Sequence, residues 1–396
     1  MRVGLVVPHI FMHREILPSV IFSPAKLALA LAEGLQAQGA EVTLFSPGPI
    51  DTTATNVTAD LSLFEGELAG RDDTYLDLLK KHPFTFVTLA RQIQSELIAQ
   101  AYAMANAGEL DIVHIYTNEE DTALPFATLC TKPVVFTHHD PFNFLVKYKN
   151  VFPKYAHLNW ISMSHAQRKG MPLDTNWVGN VYHGVTESTL VPVSNPRADY
   201  VGYLGRIIEP KGVHLAIAAV LEHNLQSPKT PLKLKIAGKH YTGYAKDTYW
   251  KTAVEPYIDG EVIQYVGFVD TNEAKRDFLA DARALIVPSL FQEPFGMVTI
   301  EALACGTPVI GLNSGAIPEV VRDNVTGIII PKALLEDGTP DEVHIIGAFA
   351  DAIRDIVHID RAACRQDYET RFTAERMCAA HLEIYKKLVT QSQDQS

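Results

Sequence analysis

Residues 285–330 decide the fold, and they read LIVPSLFQEPFGMVTIEALACGTPVIGLNSGAIPEVVRDNVTGIII. An apolar run ends at Pro288, and apolar residues with helical spacing recur from Met297 to a stop at Gly306. The stretch therefore predicts a strand, a loop and a helix in succession. Alternation of strands and helices along a chain is typical of an α/β fold with a parallel sheet.

Two carboxylates bracket the loop of this strand-loop-helix unit. Glu293 is predicted on the loop, and Glu301 about two turns into the helix. The first N–H groups of a helix lack intrahelical partners, so the helix start favours an anion such as a phosphate. The plainer alternative is that Glu293 is a solvated loop acid and Glu301 a helix-surface acid.

The same stretch resembles the donor-binding signature of retaining GT-B glycosyltransferases, in particular glycosyltransferase family 4. That family carries E-P-F-G-x-x-x-x-E, an A-x-G-x-P-V strand entry and a Gly-Gly-x-x-E-x-V type loop. The matching positions are Glu293, Pro294, Phe295, Gly296, Glu301, residues 304–309 and residues 314–320. The resemblance implies an α/β GT-B fold, with two doubly wound Rossmann-like domains facing a deep cleft. It also implies transfer of a hexosyl group from a nucleotide diphosphate sugar with retention of the anomeric configuration.

A second motif lies in a strand-to-helix turn, where Gly205, Arg206, Lys211 and Gly212 follow the pattern G-R-x-x-x-x-K-G of the same family. A guanidinium can bind two phosphate oxygens and an ammonium adds a point charge, which suits a diphosphate. Basic residues at such a turn are more often merely solvated. The resemblance implies that Arg206 and Lys211 clamp the donor phosphates.

The remaining donor-site roles rest on the resemblance. Glu301 would accept hydrogen bonds from the ribose hydroxyls, and Glu293 would lie near the sugar. The predicted donor-binding set is completed by Phe295, Gly296, Met297, Val298, Phe268 and Val269. The last two belong to a turn where the family places the base and ribose. No D-x-D pair follows a strand, so we expect transfer without a required metal, the nucleotide sugar being the co-substrate rather than a cofactor.

A histidine pair follows the apolar run 133–137, where the chain reads Thr137, His138, His139, Asp140. Adjacent residues of an extended chain point to opposite faces, so a metal cluster is disfavoured. A lone histidine is ordinarily a satisfied loop-edge residue. In the family, a T-x-H sequence at this position faces the transferred sugar, and the matching residue is His139. The resemblance therefore implies a catalytic-site role for His139.

Length and composition are those of an ordinary globular protein. The chain has 396 residues, of which 47% are hydrophobic and 20% charged, which suits two domains. A net charge of −12 argues against nucleic-acid binding.

No apolar run approaches the ~18 residues of a bilayer span, and no targeting segment precedes the first strand, so a cytoplasmic location is expected. A peripheral membrane contact stays open. The cysteines, which lack C-x-x-C spacing, are expected to be thiols.

The predicted domain organisation has three parts. Residues 1–194 form an N-terminal, acceptor-side domain, 195–372 a C-terminal nucleotide-sugar domain, and 373–396 a helix crossing back to the first domain. The opening residues predict a strand over 1–8, a helix over 24–38 and a strand over 40–45. Residues 51–69 are predicted to be an irregular surface segment. The final helix is predicted over 373–388, packing through Met377, Leu382 and Tyr385, with fraying from Gln391.

The chain departs from the family in the loop 9–23, which usually ends in a Gly-Gly pair. Here Ser23, Pro24, Ala25 and Lys26 stand there, so Lys26 serves the acceptor or only the surface. Alternatives to retaining transfer are another GT-B enzyme, such as a nucleotide-sugar 2-epimerase or an inverting transferase, and a catalytically silent nucleotide-sugar binder. A UDP-sugar is the first expectation for the donor and GDP-mannose the second. The acceptor stays open among glycans, lipid-linked sugars and small molecules.

Overall fold

A computed structural model describes residues 1–20, 22–118, 120–186, 188–240, 248–269 and 271–394. The chain divides into two compact units. The first comprises Met1–His183 and Ala374–Ser396, and the second comprises Gly184–Thr373. Within the described ranges, none of the helices combines the length and hydropathy that a bilayer span requires.

The first unit is an α/β unit built on a parallel sheet. Its strands are β1 (Arg2–Val6), β2 (Glu41–Ser46), β3 (Thr55–Thr58), β4 (Ile112–Thr117), β5 (Val134–His138), β6 (Asn159–Ser162) and β7 (Trp177–Asn180). Its α-helices within Met1–His183 are α1 (Ser23–Ala37), α2 (Ser62–Arg71), α3 (Tyr75–Lys81), α4 (Pro83–Asn106) and α5 (Val146–Val151). The strand order is β3-β2-β1-β4-β5-β6-β7, with every pair parallel in the described part of the chain.

The second unit repeats this plan. Its strands are β8 (Tyr200–Leu204), β9 (Lys233–Ala237), β10 (Ile263–Gly267), β11 (Ala284–Val287), β12 (Val309–Leu312) and β13 (Gly327–Ile330). Its helices are α6 (Val213–Gln226), α7 (Asn272–Ala280), α8 (Met297–Ala304), α9 (Ile317–Val320), α10 (Glu342–Asp355) and α11 (Arg361–Arg371). The order β10-β9-β8-β11-β12-β13 is again parallel among the residues described. The predicted α/β class with two Rossmann-like domains is confirmed.

The strand order of each sheet reverses beside its first strand. In the first sheet this happens between β1 and β4, and in the second between β8 and β11. At such a switch point the two connections leave on opposite faces, which opens a crevice beyond the carboxyl ends of the two strands. In the second unit, this crevice is lined by the residues that follow β8 and β11, so they are the candidates for ligand binding.

Hydrophobic burial explains why these segments form a layered unit. The strand β1 carries Val3, Leu5 and Val6, all fully buried, and β11 is buried along its whole length. A strand covered by helices on both faces reads as a continuous apolar run rather than an alternating one. This is the pattern that marked both strands in the sequence.

The interval 51–69 was predicted to be irregular, and this prediction is wrong. It contains β3, which pairs in parallel with β2 from Thr43↔Thr55 to Ser46↔Thr58, and most of α2. β3 is a mostly half-buried edge strand with Val57 as its one apolar residue, and α2 buries the side chain of Phe64. Pairing with a neighbour strand, rather than a local apolar pattern, produces β3, so no local signal predicted it.

The two units meet in sequence at His183 and Gly184, earlier than the boundary predicted at 194. The segment after Gly184 is held by α11 of the second unit. The Tyr368 hydroxyl donates to the Val185 carbonyl at 2.8 Å, and Arg365 Nη1 donates to the Leu190 carbonyl at 2.9 Å. These long-range bonds, invisible in a local pattern of prolines and polar residues, assign 184–194 to the second unit.

The last helix, α12 (Ala374–Asp394), groups with the first unit. Met377, Leu382 and Tyr385 are buried, as predicted for its packing face. The helix continues through Gln391 to Asp394, so the predicted fraying from Gln391 is wrong.

Of the cysteines, Cys305, Cys364 and Cys378 are buried and Cys130 is half-buried, all as free thiols.

Candidate functional site

The turn between β11 and α8 has the form that the sequence predicted, with one correction. The helix α8 starts at Met297, so Glu301 lies just over one turn into it rather than two. Gly296 precedes the helix with φ +94, and no side chain caps it. An uncapped start leaves the first main-chain N–H groups, including those of Met297 and Val298, available to an anion.

Glycine is favoured at position 296 chiefly by its backbone conformation. A φ of +94 is strained for any residue with a Cβ, and a Cβ there would come within 2.9 Å of Ile317 Cδ1. The preceding Phe295 is 1% exposed and packs edge-on against Phe372. The ring of Phe295, one of the predicted donor-binding residues, is therefore part of the core and is not available for a ligand.

Glu293 is held by two side chains, one from the connection after β8 and one from its own connection after β11. The Lys211 ammonium donates a hydrogen bond to Glu293 Oε1, and Ser289 Oγ donates to the same oxygen at 2.7 Å. Glu293 is 7% exposed. A buried carboxylate in a low-dielectric setting needs such compensation. The predicted phosphate-binding Lys211 and the predicted sugar-binding Glu293 are thus in direct contact.

The approach of these two residues depends on close contact between their loops. Lys211 ends a 3₁₀ turn after β8, and Gly212 follows with φ +69. A Cβ on Gly212 would lie 2.2 Å from the Pro288 carbonyl oxygen at the end of β11. The K-G pair of the motif therefore has a structural reason. The glycine lets the two connections touch, and the lysine beside it reaches Glu293.

A third connection, the one after β12, contacts the main chain of Glu293. Gly315, after β12, has φ +58, and a Cβ there would be 2.2 Å from the Glu293 carbonyl oxygen and 2.4 Å from its nitrogen. Ala316 N donates to that carbonyl at 2.8 Å, and Ser314 Oγ donates to the Phe291 carbonyl at 2.7 Å. The loop that resembled a Gly-Gly-x-x-E motif thus positions the main chain of Glu293.

Glu301 forms a second lysine-glutamate pair. Lys275 Nζ, in the first part of α7, donates to Glu301 Oε1 at 2.6 Å. The two side chains are 16% and 11% exposed, so the pair is largely shielded from solvent. Neither Lys275 nor Ser289 was singled out in the sequence. Ser289 directly follows the strand-ending proline, which is a usable signal, but Lys275 has no motif to mark it.

The other predicted donor residues lie just after β8 and β10. Arg206 is exposed, and the structure records no hydrogen bond or ion pair for its guanidinium within the described ranges. Its main chain is fixed by Tyr203, whose hydroxyl donates to the Arg206 carbonyl at 2.8 Å. Phe268 is 40% exposed with Lys239 Nζ 4.2 Å from its ring centroid, and Val269 is half-buried. A partly exposed aromatic face is suited to stacking against a planar base.

His139 lies in the first unit, directly after β5. Its ring stacks on that of His183, with centroids 5.3 Å apart, and meets Tyr116 edge-on at 4.3 Å. Burial, followed by the neighbouring His183, lowers the pKa of His139 well below its usual value. The buried Nε2 atom has no hydrogen-bond partner among the described residues. Burial therefore favours the neutral form of the His139 imidazole. The adjacent His138 is fully buried among aromatic rings.

The chemistry of the second unit follows from these contacts. Lys211 and the start of α8 supply positive potential at the carboxyl ends of β8 and β11, while Glu293 and Glu301 supply hydrogen-bond acceptors beside it. Positive groups fixed in a partly buried site stabilise developing negative charge on a leaving group. In the described part of the chain, no group of three or more histidine, cysteine or carboxylate side chains is placed to hold a metal ion.

Comparison with a family model decides how this arrangement is classified. The model described as glycosyl transferases group 1 matches residues 198–358, which include both motifs and all of the connections above. Residues 198–358 belong to the group 1 glycosyltransferase family. In this group 1 domain, the Lys211–Glu293 pair joins its G-R-x-x-x-x-K-G motif to its E-P-F-G motif.

Curated relatives align over part of the chain. An alpha-maltose-1-phosphate synthase of Mycobacterium tuberculosis is 28% identical over 254 residues, covering 58% of this chain and 62% of the relative. A D-inositol 3-phosphate glycosyltransferase of Paenarthrobacter aurescens is 29% identical over 190 residues, covering 48% and 41%. The alignment with the first of these relatives thus spans about three fifths of that protein's length.

Solved structures resemble the whole chain in fold. A sucrose-phosphate synthase from Thermosynechococcus elongatus superposes with a TM-score of 0.69 at 18% identity, covering 99% of this chain and all of that one. Anabaena HepE in complex with UDP and glucose gives a TM-score of 0.66 at 15% identity, covering 98% and 100%. AviGT4, a glycosyltransferase involved in avilamycin A biosynthesis, gives 0.63 at 18%, covering 98% of each chain. The chain that contains the group 1 domain therefore has the GT-B fold.

Proposed function

We propose that this protein is a retaining glycosyltransferase of family 4 that transfers a hexosyl group from a nucleotide diphosphate sugar to an acceptor. One observation carries the proposal. Lys211, Glu293 and the uncapped start of α8 come together where β8 and β11 end, at the switch point of the second sheet. This is the edge where open α/β sheets bind ligands.

In this proposal, Lys211 stabilises the departing nucleoside diphosphate. An ammonium has three N–H donors, and Glu293 takes one of them, so Lys211 can bridge Glu293 and a phosphate oxygen. The N–H groups at Met297 and Val298 and the exposed guanidinium of Arg206 add to the positive potential. Charge neutralisation by fixed protein groups supplies what a metal ion otherwise would, and we propose that none is required.

The two acids take different parts of the donor. Glu301 accepts hydrogen bonds from the ribose hydroxyls, and Glu293 holds the hydroxyls of the sugar. Phe268 and Val269 lie beside the base and ribose. Glu293 is fixed through Lys211 and Ser289 on its side chain and through Ala316 on its carbonyl, which favours a positioning role over a covalent one. His139 remains the predicted sugar-binding residue of the first unit.

For the donor we propose a UDP-sugar, with GDP-mannose as the second candidate. The HepE structure, similar in fold, holds UDP and glucose, which supports the first choice. The names of the relatives, a synthase of a sugar phosphate and a glycosyltransferase, favour group transfer over epimerisation. We propose a cytoplasmic location and assign no acceptor.

The test is a panel of nucleotides and nucleotide sugars, with chelator present throughout. Thermal unfolding is followed with UDP, GDP, UDP-glucose and GDP-mannose, and stabilising donors are then incubated with candidate acceptors. We expect a UDP compound to raise the unfolding temperature and NMR of the product to show the anomeric configuration of the donor. Inversion would exclude the retaining mechanism. Binding without hydrolysis or transfer would favour a silent nucleotide-sugar binder, and binding of none would remove the proposal.

A further inference from the structure

Lys275 occupies a position that neither motif of the group 1 domain includes. It lies in α7, whose start is fixed by Thr271. The Thr271 hydroxyl accepts from Ala274 N at 3.1 Å, and the Thr271 carbonyl accepts from Lys275 N at 3.0 Å. These two hydrogen bonds fix the first turn of α7 and therefore the backbone position of Lys275. From there the side chain reaches α8 and ends on Glu301.

The pair is too well shielded to be an ordinary surface ion pair. Lys275 is 16% and Glu301 11% exposed, whereas Lys233 and Asp199, an ion pair on β9 and before β8, are 46% and 50% exposed. Exposed pairs contribute little because water screens them and long side chains lose entropy on pairing. A shielded pair holds both side chains in one geometry, and its loss leaves a buried charge uncompensated.

The contact leaves half of the Glu301 carboxylate open. Lys275 bonds Oε1, and in the described part of the chain no group hydrogen-bonds Oε2. One carboxylate oxygen has two lone-pair directions and can accept from two neighbouring hydroxyls. Because the ammonium fixes Oε1, Oε2 is held in one orientation and can accept hydrogen bonds from a vicinal diol.

We propose that Lys275 is a positioning residue for donor recognition. By holding Glu301 through Oε1, it makes nucleotide affinity depend on the 2′ and 3′ hydroxyls of the ribose. This inference rests on the proposed function, since it concerns the ribose of the proposed nucleotide donor. A lysine that merely joined α7 to α8 would stabilise the domain without distinguishing nucleotides that differ at those hydroxyls.

The experiment compares UDP with 2′,3′-dideoxy-UDP by isothermal titration calorimetry on the full chain. The variants are Lys275→Met, Lys275→Arg and, as matched control on an exposed ion pair, Lys233→Met. We expect Lys275→Met to weaken UDP binding by about tenfold or more, because charge-assisted hydrogen bonds are lost or misaligned. Binding of the dideoxy nucleotide should stay at the wild-type level. Lys275→Arg should retain most of the UDP affinity, and Lys233→Met all of it.

Three results would overturn the inference. The first is that Lys275→Met binds UDP with the affinity of the wild type. The second is that Lys275→Met loses affinity for UDP and for the dideoxy nucleotide by the same factor. The third is failure of the wild-type protein to bind either nucleotide, which would also remove the proposed function, whereas the first two leave that function standing. If Lys275→Met unfolds, Lys275→Arg and Lys275→Gln carry the comparison, because the readout is the ratio of two affinities within one variant.

Discussion

Lys211 and Glu293 form a shielded ion pair between the connections that follow two adjacent parallel strands, β8 and β11. Their side chains are 19% and 9% exposed, and Ser289 donates to the same carboxylate oxygen. The residues are far apart in the sequence and belong to separate motifs. Their contact places a cation and an acid at one point of the second sheet, and the first prediction concerns that cation.

Replacing Lys211 by alanine should lower turnover by at least about tenfold, because the charge that stabilises the leaving diphosphate is removed. It should also lower stability, since Glu293 is left buried without its counter-charge. Turnover with saturating donor and unfolding in urea measure the two effects. The control Lys233→Ala removes an exposed lysine of the same unit. Unchanged turnover in Lys211→Ala would count against the phosphate role.

Replacing Glu301 by alanine should weaken nucleotide binding by about tenfold or more, because the ribose hydroxyls lose a charged acceptor. The measurement is calorimetric titration with UDP. Glu301→Gln keeps the shape of the side chain but lacks its charge, and it should fall between the wild type and Glu301→Ala. An unaltered dissociation constant in both variants would show that Glu301 does not touch the ribose.

Replacing Gly315 by alanine should displace Glu293 and reduce both stability and turnover. The added Cβ would lie 2.2 Å from the Glu293 carbonyl oxygen at a φ of +58. Strain of this kind costs about 1–3 kcal/mol, before the loop itself shifts. The control is Gly66→Ala in α2, where a Cβ meets nothing within 4 Å and φ is helical, so a small gain in stability is expected. Wild-type stability and turnover in Gly315→Ala would contradict this account.

Acidification should destabilise the first unit through its buried histidines. Burial lowers the pKa of His381 to about 4, with His114, Tyr116 and Tyr385 as its ring neighbours. The unfolded chain, with a histidine pKa of about 6.5, therefore binds more protons than the folded chain between about pH 4 and 6.5. Stability is complete above pH 6.5 and falls as the pH is lowered through this window.

The size of this effect can be measured by urea unfolding at pH 7 and pH 5. His381 alone should contribute a loss of about 2 kcal/mol between these values. The variant His381→Gln should show a correspondingly smaller difference between the two pH values. His358→Gln, which replaces an exposed histidine, is the matched control and should keep the wild-type difference. Equal unfolding free energies at pH 7 and pH 5 in the wild type would contradict the prediction.

Much of the fold could be predicted because it is written in local patterns. The apolar run before Pro288 and the helical spacing after Met297 gave β11 and α8, and the opening residues gave β1, α1 and β2 within a residue or two. These signals are strong because each strand is buried on both faces. The edge strand β3 and the helix α2 were missed, since pairing with β2 rather than local hydrophobicity forms β3.

The candidate site divides in the same way. The resemblance of two motifs to glycosyltransferase family 4 indicated Arg206, Lys211, Glu293 and Glu301, because both motifs are continuous in the sequence. Lys275 and Ser289 were not indicated. Lys275 is an unremarkable lysine on a polar helix, and its partner lies 26 positions away in the chain.

By itself, therefore, the sequence determined the α/β class and the two-domain plan, and its motifs supplied the prediction of which charged residues bind the donor. Only the tertiary structure decided which acid meets which lysine and where the units divide. It also showed that Phe295 turns its ring into the core. The physical reason is that strand order in a parallel sheet is set by crossover connections, so residues from β8 and β11 become neighbours through folding rather than through nearness in the chain.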